Sequence, residues 1–303
     1  MNILVTGCLG HIGSYLLPIL LKKKFFSVIG IDSNSNNNLN TIFNVKNKNF
    51  TFFLDDLKKF EYKKKIKKID ILIHLASTTN AEMSLFNKKE YENNNLLCFK
   101  KVLEISKFFK CKLVHISSTS VYGVSSNLVN ENLSEQFLKP QSPYADIKLK
   151  EEKMLKKNNI NFVSLRFGTI VGASSGMRFH TAVNKFCLNA AINERITVYK
   201  TALNQYRPYL SVKDAFKVFK FCIEKDFFTG DLYNALSGNF TVNQILTKIK
   251  KYKKNIKIKF TTSEIMNQLS YHVDKRKLLN KGLSLSNKID IDIKETLNLL
   301  KNI

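Results

Sequence analysis

The stretch Asn2–Leu21, N-I-L-V-T-G-C-L-G-H-I-G-S-Y-L-L-P-I-L-L, decides the fold. Asn2–Thr6 is a short apolar run that reads as a strand, and Tyr15–Leu21 reads as an apolar helix. Between them stand Gly7, Gly10 and Gly13, spaced Gly-x-x-Gly-x-x-Gly. Glycines at these places let the chain turn sharply out of the strand. They also let a pyrophosphate approach the unpaired N–H groups at the helix N-terminus and let helix pack closely on strand. Alone the trio is a weak signal; framed by a strand and a helix it predicts the opening unit of a doubly wound parallel sheet.

The chain beyond it keeps that rhythm. Ser27–Ile31 is a second strand ending in Asp32, nineteen residues after Gly13. A carboxylate at that place accepts hydrogen bonds from an adenosine ribose and repels a 2′-phosphate, which points to NAD rather than NADP. The competing reading is a turn aspartate opening the Asn-rich loop S-N-S-N-N-N. Phe50–Leu54 is a third strand, closed by Asp55, Asp56 and Leu57, and Ile69–Leu75 a fourth, running into Ala76, Ser77, Thr78 and Thr79. A long helix follows, with Asn95 and an apolar series from Leu96 to Ile105 at helical spacing, which reads as core or dimer surface. After a further strand, Asn161–Arg166, and F-G-T-I-V-G, the alternation breaks down from Met177. Thr181–Ala191 and Asp214–Glu224 read as helices, Ile196–Tyr199 as a short strand, Gln205–Val212 as extended around Pro208, and Asp231–Ala235 as a strand. The expected architecture is α/β: a Rossmann-type doubly wound parallel sheet from residues 1–168, with 205–235 returning to it, and a smaller C-terminal α/β substrate-binding region from 169–303.

The chemistry is expected between Leu113 and Lys148, where L-V-H-I-S-S-T-S-V-Y-G is followed by P-Y-A-D-I-K. The apolar run delivers Ser117, Ser118, Thr119 and Ser120 to a strand's C-terminal edge, the edge that carries ligand sites in open α/β sheets. Tyr144 and Lys148 stand four apart in a helix opened by Pro143 and so share a face. A phenol titrates near ~10 and is a poor base at neutral pH; an ammonium beside it favours the phenolate. Tyr-x-x-x-Lys by itself is close to chance in so Lys-rich a chain. The order of glycine turn, acid, serine cluster, Tyr and Lys is what gives it weight.

Composition bounds the remaining classes. The 303 residues carry 49 Lys and Arg against 24 Asp and Glu, a formal charge of +25. Only five of those cations are Arg (Arg166, Arg178, Arg195, Arg207, Arg276), whereas nucleic-acid recognition favours the planar Arg fork. Most of the lysines read as solvated, which argues against a nucleic-acid partner. Five scattered cysteines without C-x-x-C indicate neither a disulfide framework nor a metal site. No apolar run approaches the ~18 residues of a membrane span, and with a first strand at Asn2 a cytoplasmic protein is expected.

Taken together, these residues resemble the extended short-chain dehydrogenases/reductases of the NAD-dependent nucleotide-sugar epimerase/dehydratase family. T-G-C-L-G-H-I-G resembles its T-G-x-x-G-x-x-G, L-D-D-L its G-D-L turn, H-L-A-S its H-L-A-A, and S-S-T-S-V-Y-G with Y-A-D-I-K its catalytic Ser and Tyr-x-x-x-Lys. L-R-F-G-T-I-V-G stands where L-R-x-x-N-V-Y-G is usual, and Q-Y-R-P-Y-L-S-V-K-D where Q-x-R-D-F-I-H-V-D-D is usual. The resemblance implies NAD as cofactor, bound by Gly7, Gly10, His11, Ile12 and Gly13 at the pyrophosphate, Asp32 at the ribose, and Asp56 and Leu57 at the adenine. Leu75, Ala76, Ser77, Asn95, Tyr144 and Lys148 would complete the cofactor site. It implies Ser118, Tyr144 and Lys148 as catalytic residues, and a nucleoside-diphosphate sugar held by Ser118, Thr169 and Arg207. Arg178, Asn184 and Arg276 are further substrate candidates, each with a structural reading beside the functional one; for Arg207 that reading is a surface ion pair. A homodimer through the helices around Asn95 and Lys148 is implied as well.

Departures from the family pattern steer the reaction. The 4,6-dehydratases carry an Asp-Glu pair after the catalytic Thr; here Thr119 and Ser120 stand there, which disfavours elimination. Thr169 replaces the usual Asn, and V-Y-K-T-A-L-N-Q lacks the usual glycines of its loop. Glu82 stands where uronic-acid epimerases often have Arg, so a neutral hexose is expected. The reading is therefore an NAD-dependent 4-epimerase of a nucleotide sugar, in which Lys148 keeps the phenol's pKa low. A 4-keto-sugar reductase competes within the same chemistry, and a non-catalytic NAD- or RNA-binding member competes from another class.

Overall fold

Strands that lie between two layers of helix must be apolar on both faces, and the first runs of this chain are. The computed structural model describes residues 1–125, 128–262 and 270–301; the side chain of Glu82 also lies outside the described residues. In chain order the first half contains β1 (Asn2–Thr6), α1 (His11–Leu21), β2 (Ser27–Asp32), β3 (Phe50–Leu54), α2 (Tyr62–Lys65), β4 (Ile71–His74), α3 (Ala81–Phe86), α4 (Lys88–Phe109), β5 (Lys112–Ser118) and β6 (Leu128–Val129). It continues through α5 (Pro143–Lys156), β7 (Phe162–Phe167), β8 (Thr169–Val171), α6 (Ala182–Ala191), β9 (Arg195–Tyr199), β10 (Tyr206–Ser211), α7 (Val212–Glu224) and β11 (Leu232–Ala235). Last come β12 (Gly238–Thr241), α8 (Val242–Tyr252), β13 (Lys257–Thr261), β14 (His272–Val273), α9 (Arg276–Leu279) and α10 (Asp290–Leu299).

Seven strands form one parallel sheet in the order β11-β7-β5-β4-β1-β2-β3. The order runs outward in both directions from the neighbours β1 and β4, so the loops after these two strands diverge and leave a crevice at the C-terminal edge. Successive side chains of β1 enter opposite layers. Ile3 and Val5 pack with Leu16, Leu17 and Leu20 of α1 and with Val218 and Phe219 of α7. Leu4 instead joins Leu72, Leu113, Phe99, Val102 and Leu155 on the side of α4 and α5. The Rossmann-type reading is thus met by the sheet itself.

Three smaller sheets, β12-β10-β8, β13-β9 and β14-β6, occupy the later chain. A separate core of Val183, Cys187, Ile196, Val198, Tyr209, Ile245, Ile249 and Ile293 binds α6, α8 and α10 around them. Three local expectations change. α1 begins at His11 instead of Tyr15, with Gly13 inside its first turn. β8 is a strand of three residues, too short to show a period in sequence. α7 starts at Val212, directly after β10, because the Ser211 side chain accepts the Lys213 amide and caps the helix there.

Beneath the serine cluster lies a buried ion pair. Arg166 of β7 donates from Nε and Nη2 to Glu152 of α5 at 2.8 and 2.6 Å, Ser117 Oγ donates to the same carboxylate at 2.5 Å, and the guanidinium lies 4.8 Å from the Tyr122 ring centroid. Both side chains are 3% exposed, so a lone survivor would be an uncompensated buried charge. Glu152→Ala should therefore cost about 3 to 5 kcal/mol in urea unfolding, and Glu152→Leu combined with Arg166→Met should recover most of it.

Candidate active site

The glycine turn is fixed by close backbone approach. Gly7 has φ +69°, and a Cβ there would lie 2.5 Å from Ala76 N, so the turn after β1 rests on the segment leaving β4. A Cβ on Gly13 would lie 2.6 Å from the Cys8 backbone, which sets how tightly α1 seats on β1. Gly10 differs: its Cβ would meet only Gly7 O at 3.3 Å and Arg178 Nη2 at 3.6 Å. Asp32 accepts the Leu9 amide at 3.0 Å and the Asn34 amide at 2.8 Å, so the turn role weighed for it in sequence is real. A carboxylate has about four lone-pair sites, which leaves room for ribose hydroxyls as well.

Around the turn the implied cofactor residues divide in two. His11 is buried; its Nε2–H donates to the Gly172 carbonyl at 2.7 Å, and burial brings its pKa down to about 4, so it is a neutral structural link. Ile12 is partly buried beside it, while Leu57 and Leu75 pack into the core below. Asp56 caps its own turn through the Lys58 amide at 3.0 Å and pairs with the Lys58 ammonium at 3.4 Å. Asn95 is fully engaged: Oδ1 accepts the Thr78 amide at 2.8 Å and Nδ2 donates to the Thr78 carbonyl at 3.0 Å. It shapes the Ala76–Thr79 segment and has little left for a ligand. Ser77 Oγ, by contrast, is buried with no hydrogen-bond partner among the described residues. An open cradle at Gly10, an orphaned hydroxyl at Ser77 and a carboxylate at the end of β2 fit a dinucleotide laid across the crevice.

The proton-handling group sits on the other wall. Ser118 ends β5, with Oγ 2.8 Å from Ser120 Oγ, and its side chain hydrogen-bonds the Tyr144 phenol. Ser142 caps α5 by accepting the Ala145 amide at 3.2 Å, and Pro143 supplies the first turn. Lys148, 3% exposed, lies with Nζ 5.9 Å from the Tyr144 ring centroid. Here one expectation is corrected. Burial pushes the Tyr144 phenol above its ordinary value, Lys148 pulls it down, and Glu151 pushes it up again. The ammonium is not free to hold the phenol's pKa low, because it donates to Glu151 Oε2 at 2.8 Å. Sequence reasoning missed Glu151; its spacing of three from Lys148 on the face carrying Ala145 and Leu155 was the available signal.

The substrate candidates also separate. Thr169 is exposed at the start of β8. Arg207 lies on β10 with Nε buried and unpartnered among the described residues, as a waiting donor would be. Asn184 is buried and donates to the Arg178 carbonyl at 3.0 Å, so it positions a loop instead of meeting a ligand. Arg276 is exposed and spent on Asp274, two residues before it, at 2.7 Å. Arg178 was underweighted. Its guanidinium bonds Thr79 Oγ1, approaches Gly10, and is within electrostatic reach of both Tyr144 and Asp32, so the phenol and the β2 carboxylate open on one cleft. The loop that carries it is strapped to the glycine turn: Ser174 Oγ donates to His11 O at 2.9 Å, and Gly176 N donates to Ser14 Oγ at 2.9 Å.

A parallel sheet with a glycine turn at its switch point, and a Ser–Tyr–Lys set on the facing wall, defines a dinucleotide-dependent enzyme fold. The chain belongs to the NAD dependent epimerase/dehydratase family, whose family model matches residues 3–235. It is 33% identical over 201 residues, 61% of this chain, to an uncharacterized UDP-glucose epimerase of Bacillus subtilis, and spans 62% of that relative's length. It is 31% identical over 242 residues to an uncharacterized protein of Methanocaldococcus jannaschii, covering 75% of this chain and 73% of the relative. Among solved structures, UDP-glucuronic acid 4-epimerase from Bacillus cereus in complex with NAD superposes with a TM-score of 0.87 at 25% identity, covering 100% of this chain and 99% of the other.

The strap makes its own prediction. A Cβ at Gly176 would run into the Leu9 carbonyl and stand 2.9 Å from Gly10 O and Ser14 Oγ. Gly176→Ala should destabilise the protein by about 1 to 3 kcal/mol and open a protease-sensitive site between residues 172 and 181. Unchanged stability together with unchanged digestion would contradict this geometry.

Proposed function

We propose that the protein is an NAD-dependent 4-epimerase of a nucleoside-diphosphate sugar. The observation that carries this reading is the shared cleft, with Tyr144 bonded to Ser118 on one wall and the glycine turn with Asp32 on the other. Tyr144, as phenolate, takes the proton of the sugar's 4-hydroxyl, and Ser118 shares that hydroxyl's hydrogen bond. Lys148 lies beside the phenol as the cation that opposes its burial. A dinucleotide held in the cleft would accept the C4 hydride and give it back to the opposite face of the 4-keto sugar, and in its oxidised form would supply a positive charge. Tyr144 then returns the proton when the 4-keto sugar has presented its other face. Elimination is disfavoured because Thr119 is buried, donating to the Phe167 carbonyl at 3.2 Å, and Ser120 is bonded to Ser118, so no acid–base pair flanks the serine.

In this reading residues 1–168, with 205–235 returning to them, form the dinucleotide-binding part, and 169–303 are mainly the substrate region, where Arg207 Nε would donate to the diphosphate. The neutral-hexose expectation rested on Glu82, whose side chain lies outside the described residues. Arg178 favours a second substrate, a uronic acid, since among the described residues this half-buried cation has no ion-pair partner and the B. cereus neighbour is a UDP-glucuronic acid 4-epimerase. A homodimer through α4 and α5 is supported by Leu97, 48% exposed on α4. No helix among the described residues is long and apolar enough to cross a membrane, which accords with a cytoplasmic site of action.

A panel of UDP- and dTDP-hexoses and UDP-glucuronic acid, with products resolved by epimer, tests the reaction: epimers should form with no net NADH consumed, and stoichiometric NADH consumption would indicate the reductase instead. Tyr144→Phe should abolish turnover while NAD stays bound. Because the phenol's pKa is raised, the phenolate fraction grows with pH, and kcat/KM should climb from neutral into alkaline solution; a flat profile would remove Tyr144 as the base.

A further inference from the structure

Behind Lys148 lies a buried polar chain that the proposed mechanism does not use. Glu151 is fully buried, and its Oε2 lies 2.8 Å from Lys148 Nζ and 2.9 Å from His115 Nε2 on β5. A carboxylate only accepts, so His115 carries its proton on Nε2, and Nδ1 accepts from Ser164 Oγ at 2.8 Å. Glu151 Oε1 is buried without a partner among the described residues, an unusual cost for a group held only as scaffolding. Burial alone would raise this carboxyl, yet the Lys148 charge and the His115 bond hold it down at about 2, so it stays ionised. An apolar residue would fill this space at less cost.

We propose that Glu151, fixed by His115, is a positioning residue that balances the Lys148 charge and so sets the pH at which the Tyr144 phenol ionises. An ammonium tied to a carboxylate is a dipole, and a dipole favours a neighbouring phenolate less than a bare cation does. The groups facing this cluster from each packed element are few. α5 itself contributes Tyr144, Lys148, Glu151 and Glu152, the last neutralised by Arg166 of β7. His115 comes from β5, and His74 from β4, its Nδ1 bonded to Thr6 Oγ1 at 2.8 Å and its pKa brought down by burial to about 3. Cys98 faces from α4, pushed by burial up to about 11. Across the cleft stands Arg178, also within reach of the phenol. Burial favours the neutral form of both histidines and of the thiol, so the removable charge that opposes phenolate formation is Glu151.

The kinetic arm of the test rests on the epimerase reading, and the spectroscopic arm does not. Glu151→Gln keeps the shape and can still accept from both neighbours but removes the charge. Ultraviolet titration of tyrosinate, with a matched Tyr144→Phe background subtracted, should show the Tyr144 ionisation moving at least about one unit to lower pH in the purified protein without substrate. The acid limb of kcat/KM should move in the same direction, with KM changed less than kcat. Glu151→Asp, which restores a carboxylate, should return both towards wild type. An unmoved ionisation in a folded Glu151→Gln protein, or a rate lowered equally at every pH, would overturn the proposal. A shifted ionisation without epimerase activity on any sugar would uphold the proposal and sink the reaction assigned above.

Discussion

The structure depends on a backbone contact with no room for a side chain. Gly7 and Ala76 approach so closely that a single Cβ would stand 2.5 Å from a main-chain nitrogen. That contact joins the loops leaving β1 and β4, the two strands from which the sheet order diverges, and it fixes the floor of the crevice. Everything on the two walls is placed relative to it. Asp32 ties the turn to the end of β2 through the Leu9 amide, and Thr6 accepts the Ala76 amide at 3.4 Å while meeting His74. Asn95 then spends both ends of its amide on Thr78, so the segment after β4 is held from the helix side too. Loop backbone that must face a ligand is thereby as well supported as a strand.

Charge is handled differently on the two faces of α5. The outward face carries exposed pairs such as Lys153 with Glu135, at 3.2 Å, which are worth little in solvent. The inward face buries Lys148, Glu151 and Glu152, and each is matched by an opposite charge from its own helix or from β7. Polar groups so placed cost stability unless fully paired, yet among the described residues Glu151 Oε1 and Arg166 Nη1 remain without partners. Such incomplete satisfaction costs stability, so the inward face of α5 is not arranged for maximal stability alone.

The parts legible in sequence were those determined locally. A glycine turn is written in its own residues, because only glycine fits where a Cβ would strike backbone. Tyr144 and Lys148 were legible because helical spacing alone puts them on one face, and Ser118 because it ends a strand. Glu151 was not, since in K-L-K-E-E-K-M-L charged residues surround it, and only the packing of α5 onto β5 decides which of them turn inward. For Asn184 and Arg276 the contacts agree with the structural reading weighed beside the functional one, because neighbours six and two residues off claim their donors. Where regular alternation ends, contacts are set by tertiary pairing, and a three-residue strand such as β8 leaves no period to read.

The strap between residues 172 and 178 couples the two parts of the molecule in a way that residue patterns do not suggest. Its carbonyls and amides bond to His11 and Ser14, in the first turn of α1, and its end presents Arg178 towards Gly10 and Tyr144 together. A guanidinium in that position senses charge on both walls. Asn184 holds the Arg178 carbonyl at 3.0 Å, so the backbone beneath the guanidinium is tied to α6. One cation on that backbone lies within electrostatic reach of both Tyr144 and Asp32, and the electrostatics of the cleft are therefore a property of both regions at once.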